Sequence, residues 1–216
     1  MSPSTSVAFA EKPIAYYSPL REDIAAILPC TVNRCLEVGC GTGSTLCWVK
    51  QKFGAETLGV ELNEDAAELA RRAADRIIVG NIETDRIDLP GCDLILCLDV
   101  LEHLVDPWST LQKLSRVLVP GGCIIASIPN VQHFTVSLNL LRGRWNYTPH
   151  GLLDSTHLRF FTYSTIREMF IRAGLDVKIS RRIAGKSVLA NRLSLGLFHN
   201  FFAYQYYVKG MAPFEL

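Results

Sequence analysis

The chain has 216 residues, of which 49% are hydrophobic and 20% charged, with a formal net charge of +1. This fits one globular domain with a real core, and it excludes a disordered chain. It also excludes a general nucleic-acid binder, since no long basic stripe is present. Seven cysteines (Cys30, Cys35, Cys40, Cys47, Cys92, Cys97 and Cys123) form no CxxC pair. Neither a disulfide framework nor a metal site is therefore expected, and a cytoplasmic, reducing compartment is the simplest reading.

Residues 1–13 are expected to form a flexible tail, because Met1–Glu11 is rich in Ser, Thr and Ala and lacks an apolar signal core. Residues 14–216 are expected to form a single domain. Leu20–Leu28 has helical periodicity and stops at Pro29. Tyr16, Tyr17 and Arg21 stand where they could cover a pocket, or simply pack at the surface. Cys35, Leu36 and Val38 then supply a short buried strand, broken by Gly39, Gly41 and Gly43. Ser44 reads as an N-cap and Thr45–Phe53 as the following helix.

This strand, glycine turn and helix start bring bare backbone N–H groups against a ligand. The spacing is G-x-G-x-G, with Glu37 two residues ahead, whereas a pyrophosphate-binding turn usually reads G-x-G-x-x-G and avoids a carboxylate there. A carboxylate suits a ligand with an ammonium group or donating hydroxyls. S-adenosylmethionine has both, together with a sulfonium cation.

Thr57–Glu61 is the second expected strand, and Asn63 begins an alanine-rich helix through Ala74. Glu61 can accept both ribose hydroxyl hydrogens, or act as a helix-start charge. Arg76–Val79 is a third strand, followed by Asn81 and Ile82. These suit an adenine amine and an adenine face, with Asn81 otherwise a turn residue. Asp93–Leu98 is a continuous apolar run, as a parallel strand buried on both faces should be. Asp106-Pro107 opens a helix to about Leu118, and Cys123–Ile128 is a fifth strand ending at Pro129-Asn130. Strands alternating with helices give a doubly wound, Rossmann-like parallel sheet with helices on both faces. Its site lies outside the strands' carboxyl ends, where Glu37–Gly43, Glu61, Asn81, Asp99–His103 and Asn130 would gather.

Leu36–Gly43 (LEVGCGTG), Asp99–Leu104 (DVLEHL) and Leu118–Gly122 (LVPGG) together resemble the class I S-adenosylmethionine-dependent methyltransferases. The resemblance covers roughly Ile14 to Ala184. It implies a seven-stranded, mostly parallel sheet with an antiparallel last strand, with strand six at Leu175–Arg181 and strand seven near Tyr204–Gly210. It also implies that Glu37, Gly39, Cys40, Gly41, Thr42 and Gly43 hold the methionine end of the cofactor. Glu61 and Leu62 would meet the ribose, Asn81 and Ile82 the adenine, and Leu98, Asp99, Val100 and His103 the amino-acid portion. Similar proteins more often carry Asp where this chain has Asn81, whose amide oxygen still accepts a hydrogen bond. Gly143–Thr162 (GRWNYTPHGLLDSTHLRFFT) resembles an insertion in bacterial methyltransferases of glycan, capsule or lipopolysaccharide pathways.

That insertion, about 131–163, is where acceptor recognition is expected. Trp145 and Tyr147 could stack on a sugar face, Arg144 and Arg159 could grip an anion, and Asn130 lies at the adjoining strand end. His157, oriented by Asp154, is the first candidate base for a hydroxyl acceptor and His103 the second. The plainer role for His157 and Arg159 is to tie the lid to the sheet. The expected activity is O-methylation of a small-molecule acceptor, a sugar, nucleotide-sugar or other glycan-pathway intermediate, leaving S-adenosylhomocysteine. A catalytically silent cofactor-binding regulatory partner and an N-methyltransferase are the alternatives, and a nicotinamide oxidoreductase is disfavoured by the glycine spacing and Glu37. Leu193–Val208 is too interrupted by polar residues for a transmembrane helix. Its aromatics read as core, with a homodimer face or a membrane contact as the sharper alternative.

Overall fold

The structure is a computed structural model and describes residues 12–182, 186–195 and 197–213. Seven strands form one sheet: β1 (Arg34–Val38), β2 (Glu56–Glu61), β3 (Arg76–Val79), β4 (Cys92–Leu98), β5 (Leu118–Pro129), β6 (Asp176–Arg182) and β7 (Gln205–Met211). Their order is β3-β2-β1-β4-β5-β7-β6. β1 runs parallel to both β2 and β4, with Leu36 opposite Leu58 and Ile95. β7 inserts antiparallel between β5 and β6, with Ser127 and Ser180 both opposite Tyr207. The mixed sheet expected from the family resemblance is the one observed.

Alternation along the central strands sends their side chains into two cores. Leu36, Val38, Ile95 and Cys97 join Leu111 and Leu114 of α3 (Pro107–Ser115) and Ile166, Met169 and Phe170 of α5 (Tyr163–Arg172) on one face. Cys35, Leu94 and Leu96 meet Leu46 and Val49 of α1 (Ser44–Phe53) and Ile24 on the other. α2 (Glu64–Ala70) follows β2, with Ala70 in the second core, and α4 (Phe134–Leu141) follows β5. Short helices α6 (Lys186–Leu193) and α7 (His199–Phe202) lead into β7. The cysteines serve as small apolar groups: burial pushes the Cys97 thiol up to about 12 and the Cys92 thiol to about 11.

Several boundaries depart from expectation for local reasons. The segment Glu22–Ile27 is 3₁₀ rather than α-helical. Ser44 is the first residue of α1, and Gly43, with φ of +79°, occupies the N-cap position; the Ser44 hydroxyl donates instead to the Ser18 carbonyl, at 3.2 Å. Asn63 caps α2 by accepting from the Ala66 N–H, but the helix stops at Ala70 rather than Ala74. Pro120-Gly121-Gly122 is absorbed into β5, whose register against β4 shifts between Cys92 and Leu94.

The tail expected over 1–13 lies outside the described residues except for Lys12 and Pro13. In the C-terminal aromatic stretch, Ala203 and Tyr206 are core, whereas Leu193, Leu195, Leu197 and Phe198 are exposed. Among the described residues no helix is long and apolar enough to cross a membrane.

Asn130, expected at the substrate site, is a structural pin. It is fully buried; its amide nitrogen donates to the carbonyls of Asn200 and Ala203, both at 2.6 Å, and its oxygen accepts the Gln132 N–H. With both amide hydrogens so engaged and the side chain fully buried, it presents no accessible polar group to an acceptor. Asn130→Ala should destabilise the fold by roughly 2–4 kcal/mol, because the buried backbone groups it serves lose their partner. Urea unfolding would measure this, with cofactor affinity of the folded fraction unchanged.

Candidate active site

The carboxyl ends of β1, β2, β3 and β4 open into a crevice of about 810 Å³. Of the residues expected to hold a nucleotide-like cofactor, Glu37, Gly39, Cys40, Gly41, Glu61, Leu62, Asn81, Ile82, Leu98, Asp99, Val100 and His103 line it. Thr42 and Gly43 belong to the same turn but are not among the lining residues. The turn is shaped by left-handed backbone at Gly39 (φ +66°) and Gly41 (φ +54°), which L side chains rarely adopt. A Cβ at Gly41 would lie 2.1 Å from the Tyr17 carbonyl oxygen.

The two strand-end glutamates differ in chemistry. Glu61 is 5% exposed, and its carboxylate accepts the N–H groups of Gly41 (2.8 Å), Leu62 and Asn63 (both 2.9 Å). Burial raises its pKa and those three donors oppose the rise. With roughly four lone-pair sites on a carboxylate, about one remains for a ligand, fewer than a bidentate ribose contact needs. Glu37 is 4% exposed and its Oε2 has no hydrogen-bond partner among the described residues. Burial pushes its pKa up to about 8, against the pull of Arg21.

Asp99, at the end of β4, holds a left-handed conformation (φ +56°). Ser127 of β5 and Gln205 of β7 both donate to its Oδ1. Arg21 donates to its Oδ2 at 2.6 Å and to Ser127 Oγ at 3.1 Å. This draws the N-terminal segment across the crevice, where Tyr16, Tyr17 and Arg21 are wall residues rather than plain surface groups. The Thr42 N–H donates to the Tyr17 carbonyl at 2.9 Å, so the cover rests directly on the glycine turn. Asn81 also lines the crevice, but its Oδ1 already accepts the Glu83 N–H, the turn role weighed above. Thr45, at the start of α1, lines the crevice beside Glu37 and carried no sequence signal.

On the acceptor side the insertion is pinned to the sheet. The Glu102 carbonyl accepts the N–H groups of Leu158 and Arg159, both at 2.9 Å. The Arg159 guanidinium donates to the Val105 carbonyl, and its central carbon lies 5.7 Å from the Trp108 ring centre, contacts that tie the insertion to the segment after β4. His157 is buried and is not among the crevice-lining residues; it packs edge-on against His103, ring centres 4.7 Å apart. Its Nδ1 faces the Leu152 carbonyl at 3.2 Å. Asp154 does not hydrogen-bond to it, because its carboxylate takes the Thr156 N–H and hydroxyl and the Lys12 ammonium, at 3.0 Å. His103 faces the crevice, and burial together with His157 pushes its pKa down to about 4. Trp145 and Tyr147 both flank Phe160, at 5.0 and 6.4 Å, whereas Arg144 is exposed on the outer rim.

The comparisons with known proteins bear on the family and the fold. Residues 9–178 match the methyltransferase domain family, and the chain belongs to it. A ubiquinone biosynthesis O-methyltransferase from Cereibacter sphaeroides is 28% identical over 162 residues, 71% of this chain and 64% of that protein. The chain thus spans somewhat under two thirds of that relative's length. A protein of the same name from Thiobacillus denitrificans is 28% identical over 178 residues, covering 77% of this chain and 75% of its own. The crystal structure of an S-adenosylmethionine-dependent methyltransferase from Archaeoglobus fulgidus superposes with a TM-score of 0.64 at 19% identity, covering 94% and 96% of the two chains.

The family's cofactor is S-adenosylmethionine, and the residues present fit it. The crevice has the volume of an ordinary cofactor site. The orphaned, buried Glu37 Oε2 needs a cationic or donating partner, and the ligand's ammonium group is one. Glu37→Gln tests this through stability. An acid whose pKa is raised by folding contributes stability below its unfolded value and loses it as pH rises toward its folded value, here from about 4.5 to about 8. At neutral pH the glutamine variant without ligand should therefore unfold at higher denaturant, by roughly 1–3 kcal/mol. Its affinity for S-adenosylmethionine, read by calorimetry, should fall at least about tenfold, the usual scale for a lost charge-assisted bond. Gly41→Val should lose binding altogether, since its side chain collides with Tyr17 backbone.

Proposed function

We propose that this domain transfers a methyl group from S-adenosylmethionine to an oxygen of a small hydroxylated acceptor. The observation that carries the reading is the convergence of Glu37, the left-handed glycine turn, Glu61 and Asp99 on one crevice, with His103 also on its wall. Glu37 and the backbone of Gly39 and Gly41 would hold the methionine portion. Glu61 would reach the ribose through its remaining lone pair, Ile82 would pack on the adenine, and Asn81 would accept from its amine. When bound, the cofactor supplies an electrophilic methyl group on sulfur. The protein's task is then to hold the acceptor oxygen in line with that methyl group, to exclude water and to manage the acceptor's proton.

The aromatic face of Trp145, Phe160 and Tyr147 supports an acceptor with an apolar ring face, and a sugar hydroxyl of a glycan-pathway intermediate is the first reading. A phenolic hydroxyl is the second, favoured by the names of the Cereibacter sphaeroides and Thiobacillus denitrificans relatives. His103 is the acid–base group that geometry favours, ahead of His157, because it reaches the crevice. At a pKa near 4 it is neutral under working conditions but a weak base. Asp154 acts at a distance, by fixing the loop that carries His157.

Incubation with S-adenosylmethionine and two acceptor panels, nucleotide-sugars and catechols, should yield a methylated product by mass spectrometry from one panel. His103→Gln should lower kcat at least about a hundredfold with cofactor affinity retained. Cofactor binding with no product from any hydroxyl acceptor would instead support the silent regulatory reading.

A further inference from the structure

The sheet ends toward the C-terminus in cationic side chains that the scheme above does not use. β6 reads DVKISRR, with Arg181 and Arg182 as its last residues. β7 runs antiparallel to both β5 and β6, and Gln205 stands opposite Pro129 on one side and Arg182 on the other. The end of β6 therefore lies at the same sheet edge as the carboxyl ends of the parallel strands, where the cofactor crevice opens. As β6 is an outer strand, its cations could serve only to discourage pairing with another chain. Lys178 fits that role, but Arg181 is held differently.

Arg181 Nε donates to Asn200 Oδ1 at 2.9 Å, and its guanidinium carbon lies 4.7 Å from the Tyr163 ring centre. Asn200 is itself fixed, because its carbonyl accepts from the buried Asn130 amide at 2.6 Å. One acceptor behind the guanidinium and one ring against its face hold its plane, while Nη1 and Nη2 meet no acceptor among the described residues. A planar fork held this way, with its outer nitrogens free, is preorganised for two parallel bonds to a phosphate. The space beside it is a cavity of about 460 Å³ that shares no lining residue with the cofactor crevice. Gln132, Ser137 and His199 add polar groups to it, Phe198 and Phe201 an apolar wall, and no acidic side chain lines it among the described residues.

We propose that this cavity binds the diphosphate of a nucleotide-sugar acceptor, with Arg181 on the phosphate oxygens and the Phe198–Phe201 wall against the nucleobase. The strand order places β6 three strands from β4. That is about 14 Å along the sheet edge, a span that an extended nucleoside-diphosphate sugar covers with its sugar beside Asp99 and His103. Gln205 ties the two ends together, donating to Asp99 at the crevice and accepting from Arg182 at 3.3 Å. The inference deepens the proposed function by naming the acceptor's class, and the acceptor's role rests on that reading. It also finds the anion grip that the sequence suggested at Arg144 and Arg159, of which the second is engaged with the Val105 carbonyl and the first stands exposed on the rim. Arg181 makes and breaks no bond in the reaction. It selects, because a free sugar or a catechol offers its fork no anion.

The test titrates the full chain with UDP-glucose and GDP-mannose by calorimetry, alone and with saturating S-adenosylhomocysteine present. One equivalent of at least one nucleotide-sugar should bind under both conditions, more weakly as salt is raised, while glucose and catechol leave no signal. Arg181→Gln should weaken that binding at least about tenfold, with S-adenosylhomocysteine affinity and the circular dichroism spectrum unchanged. Arg181→Lys, a cation without the fork, should fall between the two. The proposal is overturned if the folded parent binds neither nucleotide-sugar, if S-adenosylhomocysteine displaces them, which would put them in the cofactor crevice, or if folded Arg181→Gln binds as tightly as the parent. The same titrations separate this failure from that of the proposed function. Cofactor binding without nucleotide-sugar binding sinks this inference alone. Nucleotide-sugar binding through Arg181 with no affinity for the cofactor sinks the proposed function and leaves the diphosphate site standing.

Discussion

Three glutamates buried at the carboxyl edge of one sheet set the terms for everything around them. Glu37, Glu61 and Glu102 are each at most 5% exposed. An isolated ionised carboxylate in such surroundings costs several kcal/mol even after relaxation. The fold resolves the problem differently at each position. Glu61 is satisfied by three backbone N–H groups that converge because β2 ends where the glycine turn doubles back. Glu37 and Glu102 have oxygens with no hydrogen-bond partner among the described residues, and burial raises the pKa of both. The apolar side chains of β1 and β4 make that tolerable, since Leu36, Val38, Ile95 and Cys97 on one face and Cys35, Leu94 and Leu96 on the other hold these strands in two packed cores.

The cover over this edge is built from weaker material. The 3₁₀ segment Ile14–Tyr17 has no buried residue and rests on the domain through polar contacts. Arg21 pairs with Asp99, Lys12 with Asp154 and with the Pro149 carbonyl, and the Tyr17 carbonyl with the Thr42 N–H. Lys12 thereby joins the N-terminal segment to the insertion, so the two parts of the cover close against each other. A segment held by a handful of polar contacts belongs to the low-stability end of a fold, and opens without disturbing the core. The strained Asp99 is the fixed post to which it is tied, braced from β5 and β7.

The parallel strands were legible because burial on both faces leaves an unbroken apolar run, and Asn63 and Asp106 announced their helices through side-chain oxygens at the N-cap. Strand ends mark the cofactor side, which is why Glu37, Gly39, Gly41 and Glu61 could be read from one dimension. The acceptor side resisted for a physical reason. Asn130 and Arg159 spend their hydrogen bonds on backbone carbonyls distant in sequence, of Asn200, Ala203 and Val105, and no local pattern encodes such partners. His157 looked like a lone base because the neighbour that changes its meaning, His103, lies 54 residues earlier in the chain. Glu102 was hidden inside DVLEHL, where Leu101 and Leu104 go to the core and Asp99, Val100 and His103 line the crevice.

The joint between the insertion and the sheet decides how separable the two halves of the site are. Leu158 and Arg159 donate to the Glu102 carbonyl, so the backbone of the very residue whose carboxyl is buried unpartnered anchors the loop bearing His157. Any change in the insertion that shifts this pair of hydrogen bonds moves His157 relative to Glu102 and His103 together. The cofactor half feels little of this, because Glu37, the glycine turn and Glu61 hang from β1 and β2, on the other side of the topological switch point between β1 and β4. An acceptor-side loop can therefore diverge in length and composition while the cofactor crevice stays the same, provided the two N–H groups still find the Glu102 carbonyl.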